Sequence, residues 1–489
     1  MSCGYQDSNK NEIYIVDKGV SPSVAHPYQR YILTIMKILH QFILKALPVV
    51  VAVTGMALAS CSSSRQAASS SDNAALFKTN LSKVGKGYSR TSVNTAVFRG
   101  SSVVSHGDTQ YVSYYDPEGY VTLAMRDLKS PDAEWKVERS HYKGNINDGH
   151  NVISIGVDGE GYLHVSFDHH GNPLRYARSV EPGSIKLGPL EPMTGKDEAD
   201  VTYPEFYSMP DGDLIFAYRS GASGRGNLVL NRYSMADRKW SRIHDVLIDG
   251  ENLRNAYWQM YVDPKGMIHL SWVWRETWLV ETNHDLCYAR SSDRGMTWQR
   301  SDGATYALPI TMATAEMAWE IPQNSELINQ TSMTADSNGH PYIATYWREQ
   351  GSDVPQYRLV WNDGKKWNMS TVGRRTTPFS LSGGGTKMIP ISRPRIASDG
   401  KQAYFIFRDT ERGSKVSVAH TPALGKKDWS VADVTDFSVD AWEPSLDINL
   451  WNSKNKLNIF VQTTHQGDGE RIAFNSEHST PVYVLEIEK

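Results

Sequence analysis

The chain has 489 residues, of which 10% are aromatic, and a formal net charge of -3. This near balance of charge excludes a global electrostatic field that recruits nucleic acid, so recognition of a charged ligand has to be local. Of the three cysteines, only Cys287 follows residue 61, which excludes an intramolecular disulfide in the body of the chain. An all-β architecture of this length often forms a single domain.

Residues 36–60 have the pattern of an export signal. Lysines precede an apolar stretch that ends in small residues just before Cys61. The pattern predicts a bacterial lipoprotein signal peptide, with Cys61 lipidated after cleavage, and the apolar run is short for the alternative, a transmembrane anchor. We expect residues 1–35 to be an extension from a start assigned too far upstream and residues 61–85 to be a Ser-rich tether. The predicted location is the outer membrane, lipid-anchored on its periplasmic or cell-surface face.

Seven times after residue 85, a strand-like run is followed by a tight Asp/Gly/Asn turn and a second strand-like run. The turns are centred on Gly107, Asp158, Asp211, Asp263, Asp336, Asp399 and Ser453, with spacings of 51, 53, 52, 73, 63 and 54 residues. Repeats of this length that consist only of strands are typical of propellers, in which four-stranded blades pack face to face. The sequence therefore predicts an all-β, seven-bladed β-propeller over residues 86–489.

A tryptophan ends the second strand pair of most repeats, namely Trp135, Trp240, Trp298, Trp367 and Trp429. One indole per blade suits packing between blades, so we predict core residues rather than sugar platforms. The stretch Ser291-x-Asp293-x-Gly295-x-Thr297-Trp298 is an Asp-box, a turn motif of sialidase-type and related propellers. It supports the fold and carries no chemistry itself.

The open ends of the predicted hairpins gather at one mouth of the central channel. The residues there are His150 with His169 and His170, Tyr203 with Arg219, Trp258 with Arg275, Gln330 with Arg348, Arg393 with Arg408, and Trp442 with His465. The set has five arginines and no lysine. Because the guanidinium fork suits carboxylates and sulfates, it predicts an anion-binding mouth, the alternative being solvated strand ends without a function.

These residue types suit β-elimination in a polysaccharide that contains uronic acid. An arginine neutralises the carboxylate, a base removes the adjacent proton, and an acid protonates the leaving glycosidic oxygen. Histidine titrates near neutrality, and a neighbouring arginine lowers the pKa of a tyrosine, so either side chain can serve as base or acid. A glycosidase requires a pair of carboxylates, whereas the carboxylates at the mouth lie beside arginines.

Five stretches carry one resemblance, from about residue 90 to the end: NDGHN, DHH, VTYPEF, YRSGASGRGN and NHDLCYARS. They resemble the seven-bladed propeller polysaccharide lyases that act on ulvan, a sulfated polymer of rhamnose and uronic acid. The resemblance implies that His150 and Tyr203 are the acid/base pair, in either order, and that Arg219 neutralises the uronate. It also implies that His170, or the adjacent His169, holds the substrate.

Further substrate-binding candidates are Asn151, Trp258, Arg275, Arg348 and Arg408. The resemblance also implies a structural metal, zinc or calcium, at His284 and Cys287, which needs a bulge because a spacing of three places two strand residues on opposite faces. We expect no organic cofactor, no nucleic-acid partner, membrane attachment only through the lipid, and a monomer that acts on an anionic polysaccharide.

Three alternatives remain open. Related propellers act on rhamnose-glucuronate linkages of plant arabinogalactan, so a lyase for that linkage fits the same residues. A rhamnosidase- or sialidase-like hydrolase is a second alternative, although the chain has one full Asp-box and no Arg-Ile-Pro motif. The third is a glycan-binding lipoprotein without catalysis, which would tolerate loss of His150 or Tyr203.

Overall fold

The computed structural model describes residues 76–96, 100–130, 134–329, 331–426, 428–469 and 471–488. The predicted signal peptide, the Cys61 lipidation site and most of the predicted tether lie outside the described residues, as does Gln330. The described residues belong to one compact unit, Ser69–Lys489. In this described part, no helix has the length and apolar character needed to cross a membrane.

The described residues are almost entirely strands and the loops between them. In chain order the first strands are β1 (Lys78–Tyr88), β2 (Val103–His106), β3 (Thr109–Tyr115), β4 (Tyr120–Asp127), β5 (Lys136–Lys143), β6 (Ile153–Val157), β7 (Leu163–Phe167), β8 (His170–Asn172), β9 (Tyr176–Ser179), β10 (Leu187–Leu190), β11 (Val201–Ser208), β12 (Leu214–Ala222), β13 (Arg225–Ser234) and β14 (Lys239–Ile248). The next are β15 (Asn255–Val262), β16 (Ile268–Arg275), β17 (Asn283–Ser291), β18 (Glu316–Trp319), β19 (Ser332–Ala335), β20 (Pro341–Trp347), β21 (Gln356–Asn362) and β22 (Trp367–Thr371). The last are β23 (Arg395–Ser398), β24 (Ala403–Asp409), β25 (Lys415–Thr421), β26 (Ser430–Asp433), β27 (Ser445–Leu446), β28 (Leu457–Gln462) and β29 (Ser479–Glu488). One α-helix, α1 (Ile448–Lys454), and three 3₁₀ turns (Ser92–Asn94, Val280–Thr282 and Thr410–Arg412) complete the described elements.

These strands form seven antiparallel sheets, which are the blades of the predicted propeller. Blade 1 comprises β2–β5, blade 2 β6, β7, β9 and β10, blade 3 β11–β14 with β8 beside β11, blade 4 β15–β18, blade 5 β19–β22, blade 6 β23–β26, and blade 7 β27–β29 with β1. Because β1 pairs with β29 along its length, the two ends of the described chain close the ring in blade 7. Strand β1 thus belongs to blade 7, although its first residues fall within the predicted tether, residues 61–85.

The strands near the central channel are buried on both faces. All eight residues of β15 and all eight of β16 are buried, which explains why NAYWQMYV and IHLSWVWR read as nearly continuous apolar and aromatic runs. Trp298 is fully buried, and the partly buried Trp135, Trp240, Trp367 and Trp429 pack against blade cores. The prediction that these tryptophans are structural is confirmed.

Aspartates organise the tight turns. In blade 2, Oδ1 of Asp158 accepts hydrogen bonds from the backbone N–H groups of Glu160 (3.0 Å) and Tyr162 (2.9 Å). Gly161 supplies the positive φ of 91° that this turn requires. Blades 4 and 5 repeat the geometry with Asp263 and Asp336.

The seventh predicted hairpin differs. Helix α1 joins β27 to β28, where the sequence suggested a tight turn at Ser453. Asp447 caps this helix by accepting from the backbone N–H of Leu450 at 3.0 Å. The Asp-box is confirmed as a turn, since Asp293 accepts from the backbone N–H (2.9 Å) and hydroxyl (2.6 Å) of Thr297.

Candidate active site

A cavity of about 940 Å³ opens at the mouth where the hairpin ends gather. Its volume lies near the top of the range of roughly 300–1,000 Å³ found for ligand pockets. Among the predicted mouth residues, those that line it are His150, His170, Tyr203, Arg219, Arg275, Arg393, Arg408 and His465. The structure therefore brings together the predicted acid/base pair and the predicted uronate-neutralising arginine.

One carboxylate holds two stacked histidines in this cavity. Oδ1 of Asp148 lies 2.9 Å from Nδ1 of His150, and Oδ2 lies 2.6 Å from Nδ1 of His170. The two imidazole rings stack with centroids 4.0 Å apart and an interplanar angle of 16°. Burial opposes ionisation of Asp148, but its hydrogen bonds with His150 and His170 outweigh that effect and hold its pKa well below the usual range. Asp148 is therefore an anion that accepts an Nδ1–H from each ring, and this contact orients both imidazoles.

A local irregularity of blade 3 brings Tyr203 to these histidines. Because Pro204 has no N–H, it cannot continue the ladder, and the pairing of β11 with β12 shifts register between Thr202 and Glu205. Tyr203 has a φ of 57°, which is uncommon for an aromatic residue, and its ring centroid lies 6.0 Å from that of His150. Burial raises the pKa of Tyr203, so its hydroxyl retains its proton at neutral pH.

Arg219 lies against the ring of Tyr203. Its guanidinium carbon is 4.9 Å from the ring centroid, and its Nη2 donates to Oγ1 of Thr202 at 3.1 Å. Gly226 makes room for this side chain, because a Cβ at that position would come within 2.7 Å of Cγ and Cδ of Arg219. The sequence motif YRSGASGRGN thus supplies both the arginine and the space that it occupies.

A second tyrosine completes this side of the cavity. Nη1 of Arg219 lies 3.5 Å from the hydroxyl of Tyr257, the Ser223 hydroxyl lies 3.1 Å from it, and Arg275 lies 5.3 Å from the ring centroid. Burial opposes ionisation of Tyr257, but the guanidinium groups of Arg275 and Arg219 outweigh it and lower the pKa to about 7. Sequence reasoning missed Tyr257, although its place directly before Trp258 at a predicted hairpin end was an available signal.

Most arginines on the far side of the cavity already have internal partners. Nη1 of Arg393 lies 2.9 and 3.0 Å from the two carboxylate oxygens of Glu443. The buried Arg408 donates to the backbone carbonyls of Trp442 (3.3 Å) and Ile389 (2.8 Å). Arg219 and Arg275 lie on the other side of the cavity, against the rings of Tyr203 and Tyr257 respectively.

Of the two adjacent histidines, His170 lines the cavity and His169 does not. His170 begins β8, where it pairs with Thr202 of β11, and its side chain lines the cavity. His169 is fully buried away from the cavity, and its Nε2 accepts from the backbone N–H of Arg175 at 2.8 Å. Burial and the nearby Arg175 lower the pKa of His169 to about 3, so this ring is neutral and structural.

Three other predicted substrate-binding residues do not line the cavity. Asn151 is buried and donates through Nδ2 to the carbonyl of Asn145 at 3.1 Å. Trp258 is buried behind the cavity, with its ring centroid 6.3 Å from that of Tyr203. Arg348 forms an ion pair with Glu326 at 2.5 Å and does not line the cavity. In this structure all three side chains make contacts within the propeller.

His284 and Cys287 are not part of a group of three potential metal ligands in the described residues, and the metal expected there stays a prediction. The expected bulge exists, since the pairing of β16 with β17 shifts register between Val273 and Trp274. The ring nitrogens of His284 lie 2.9 Å from a carboxylate oxygen of Glu276 and 2.9 Å from one of Asp285. Burial by itself lowers the pKa of His284, but the two carboxylates outweigh the effect of burial, so the pKa is raised. Burial raises the pKa of the Cys287 thiol.

In the described part of the chain, one group of three potential metal ligands lies within 4.8 Å, namely Asp148, His150 and His170. Two parallel rings at 4.0 Å cannot both aim their in-plane lone pairs at a single ion. The observed geometry fits a carboxylate that accepts one hydrogen bond from each imidazole. The residues as arranged do not fit a metal at this position.

Sequence comparison places these residues in a family. The profile of the BNR repeat-containing family matches residues 109–375, which is more than half of the chain. This chain belongs to the BNR repeat-containing family. The match spans blades 1 to 5 and so includes His150, His170, Tyr203 and Arg219.

This BNR-repeat protein is similar to several ulvan lyases. An ulvan lyase of Alteromonas sp. (strain LOR) is 23% identical over 311 residues, which cover 56% of this chain and 64% of that protein. A long-isoform ulvan lyase of Glaciecola sp. (strain KUL10) is 26% identical over 271 residues, covering 43% of this chain and 25% of that protein. The matches thus span less than two thirds of the length of these relatives.

The fold of the BNR-repeat protein also matches solved structures. A PL25 ulvan lyase superposes with a TM-score of 0.60 and 17% identity, covering 81% of this chain and 96% of that one. A PL25 ulvan lyase bound to -[GlcA(1-4)Rha3S]- gives a TM-score of 0.59 with the same identity and coverage. These likenesses confirm the seven-bladed propeller and the resemblance to ulvan-lyase propellers.

Proposed function

We propose that this protein is a polysaccharide lyase that cleaves a sulfated rhamnose/uronic-acid polymer of the ulvan type by β-elimination. The observation that carries the proposal is the single cavity in which His150, held by Asp148, faces Tyr203 and the guanidinium of Arg219. The similarity to ulvan lyases, and the glucuronate-rhamnose 3-sulfate fragment bound to one structural neighbour, support the substrate class.

In the proposed reaction, Arg219 and Arg275 pair with the carboxylate of the uronate. Neutralisation of that charge makes the proton on C5 acidic, because the electron pair left on C5 delocalises into the carboxyl group. A base removes the C5 proton, the C4–O bond breaks, and an acid protonates the departing glycosidic oxygen. The products are an unsaturated uronate with a C4=C5 double bond and a new sugar hydroxyl, so no oxidant or reductant is consumed.

We assign the base to His150 and the acid to Tyr203. The anionic Asp148 accepts Nδ1–H of His150, which favours the tautomer whose basic nitrogen is Nε2. Burial raises the pKa of Tyr203, which favours a protonated hydroxyl that can donate to the leaving oxygen. The charge of Tyr257, whose pKa is lowered to about 7, raises the pKa of Tyr203 further and so favours the protonated hydroxyl.

A glycoside hydrolase is the weaker candidate. The cavity-lining carboxylates Asp440 and Glu443 are each engaged by a basic side chain, Asp440 by His465 at 2.5 Å and Glu443 by Arg393 at 2.9 Å. A carboxyl group already bound to a basic side chain of the protein is not placed to protonate a glycosidic oxygen, as the acid of a glycosidase must. A rhamnose-glucuronate lyase uses the same groups and differs only in the polymer it accepts.

Export and lipid anchoring belong to this proposal as well. The signal-like residues 36–60 followed by Cys61 support a lipoprotein that meets its polymer outside the cytoplasm. Labelling with a radioactive fatty acid in a bacterial host is expected to mark the parent protein and not a Cys61→Ser variant. Equal labelling of both proteins would contradict lipidation at Cys61.

The absorbance of an unsaturated uronate tests the lyase activity directly. The purified protein mixed with ulvan is expected to give rising ultraviolet absorbance, and His150→Ala and Tyr203→Phe are expected to abolish the rise. New reducing ends without absorbance would identify a hydrolase instead. Polymer binding without either signal would identify a glycan-binding protein or a lyase for another uronate polymer.

A further inference from the structure

Exposed aromatic side chains are concentrated at the cavity. Among the described residues, the two large aromatic side chains classed as exposed are Trp278 (61% exposed) and Phe474 (72%), and both line the cavity that contains His150. The remaining described Trp, Phe and Tyr side chains are at least partly buried in the propeller. Because large exposed apolar groups mark ligand grooves, this placement points to a binding role.

Trp278 is fixed in place by its neighbours. Arg275 donates through Nη2 to the carbonyl of Trp278 and through Nε to the carbonyl of Thr277 at 3.2 Å. Gly384 lies against the indole, since a Cβ there would come within 2.5 Å of Cε3. The indole therefore presents its remaining surface without the entropy cost of ordering a mobile side chain.

The two aromatic residues flank the acid/base groups around the ring of blades. Trp278 follows β16 of blade 4, and Phe474 lies in the loop between β28 and β29 of blade 7. His150 precedes β6 of blade 2, and Tyr203 lies in β11 of blade 3. From blade 7 the ring continues through blades 1, 2 and 3 to blade 4. The acid/base groups of blades 2 and 3 therefore lie between Phe474 of blade 7 and Trp278 of blade 4. A chain bound across the cavity would pass one aromatic residue on each side of the reacting sugar.

We propose that Trp278 and Phe474 are stacking platforms that bind the sugars on either side of the cleaved linkage. This inference rests on the proposed function and adds two binding subsites to it. The ligand is the apolar face of a pyranose ring, whose C–H groups suit the electron-rich face of an aromatic ring. A 6-deoxy sugar such as rhamnose carries a methyl group where other hexoses carry a hydroxymethyl, so it offers more apolar area for burial.

Steady-state kinetics with the full chain test the two platforms. Trp278→Ala and Phe474→Ala are each expected to raise KM for ulvan roughly two- to tenfold, the range expected for loss of one aromatic contact. The value of kcat should stay close to that of the parent, because neither ring touches the reacting atoms. Trp278→Phe should recover most of the parent KM. Met296→Ala is the matched control, since Met296 is 58% exposed but lies on the Asp-box turn, away from the cavity.

Binding without turnover provides a second readout. In a His150→Ala background, ulvan should change the tryptophan fluorescence, and adding Trp278→Ala should remove most of that change. If the parent protein is active and both alanine variants keep its KM, the platform proposal is wrong and the lyase proposal stands. If the parent gives no unsaturated product, the lyase proposal is wrong. In that case a fluorescence change that persists in Trp278→Ala would show that the platform proposal is wrong too.

Discussion

The imidazole rings of His150 and His170 stack at a centroid distance of 4.0 Å, and both Nδ1 atoms meet the same carboxylate, that of Asp148. Asp148, which belongs to the NDGHN stretch, therefore orients both rings and is not itself proposed to contact the substrate. Because the tautomer of His150 depends on its partner at Nδ1, the proposed acid/base chemistry depends on Asp148. In that proposal Asp148 is a positioning residue, and sequence reasoning missed it.

Replacing Asp148 with asparagine should impair chemistry more than binding. The amide offers an N–H to one of the two rings, so that ring loses its acceptor and the tautomer of the pair is no longer fixed. We expect kcat to fall about 10²- to 10⁴-fold, the range for a lost acid or base, with a small change in KM. Nitrogen NMR shifts of the imidazoles should show a change of tautomer in the variant. The control is Asp245→Asn, which makes the same change at the exposed Asp245–Lys196 pair. An unchanged kcat in Asp148→Asn would disprove the positioning role of Asp148.

Tyr257 should ionise near neutral pH. The nearby guanidinium groups lower its pKa to about 7, so a tyrosinate absorbance step is expected between about pH 6 and 8. Tyr257→Phe should remove that step, while Tyr261→Phe should preserve it, because burial raises the pKa of Tyr261 to about 12. Since the folded pKa lies below the unfolded value of 10.0, the stability contributed by Tyr257 is complete above pH 10 and declines as pH falls to about 7. A step that persists in Tyr257→Phe would assign it to another group.

Arg219 should act on the substrate carboxylate and not only on the fold. Arg219→Lys keeps the positive charge but loses the planar fork, and we expect kcat/KM on ulvan to fall roughly 10²- to 10³-fold, as for removal of one preorganised charge-stabilising group. A carboxyl-reduced polymer should bind the parent and the variant equally in a titration. Arg412→Lys, at the partly exposed Arg412–Asp433 pair, serves as the control. Weaker binding of the reduced polymer by the variant would show that Arg219 contacts other groups.

Glu205 should make stability depend on pH. It lies in the central channel near Arg395, and burial raises its pKa to about 8, with the Arg395 charge opposing that effect. Because the folded pKa exceeds the unfolded value of 4.5, the folded state binds more protons, and stability falls as pH rises from about 4.5 to 8. Glu205→Gln should leave stability unchanged near pH 4 and raise it by about 1–4 kcal/mol at pH 8 in urea unfolding. Equal stability of both proteins at pH 8 would contradict a carboxyl group that is costly to ionise.

The sequence by itself determined the architecture. Turn residues such as Asp158 and Gly161 act through local hydrogen bonds and positive φ, so their spacing along the chain is enough to count hairpins and blades. The same local logic revealed His150, Tyr203 and Arg219, because each stands at the end of a predicted strand. It failed for β1, whose partner β29 is distant in sequence, and for α1, where a capped helix replaces a tight turn.

Only the tertiary structure decided which strand-end residues serve the site. Whether His169 or His170 faces the cavity depends on the pairing of β8 with β11, which is a long-range contact. Arg348 corresponds to Arg219 by its position in the repeat, and Arg393 corresponds to Tyr203, but Glu326 and Glu443 pair with these arginines from other segments of the chain. Asp148 and Tyr257 gain their roles from partners in space rather than from a local pattern. The periodicity of the sequence determines where each strand ends, so the fold could be predicted from it. The environment of a side chain depends on the neighbouring blades. For that reason two of the four proposed substrate contacts, Trp278 and Phe474, were not predicted, whereas Arg219 and Arg275 were.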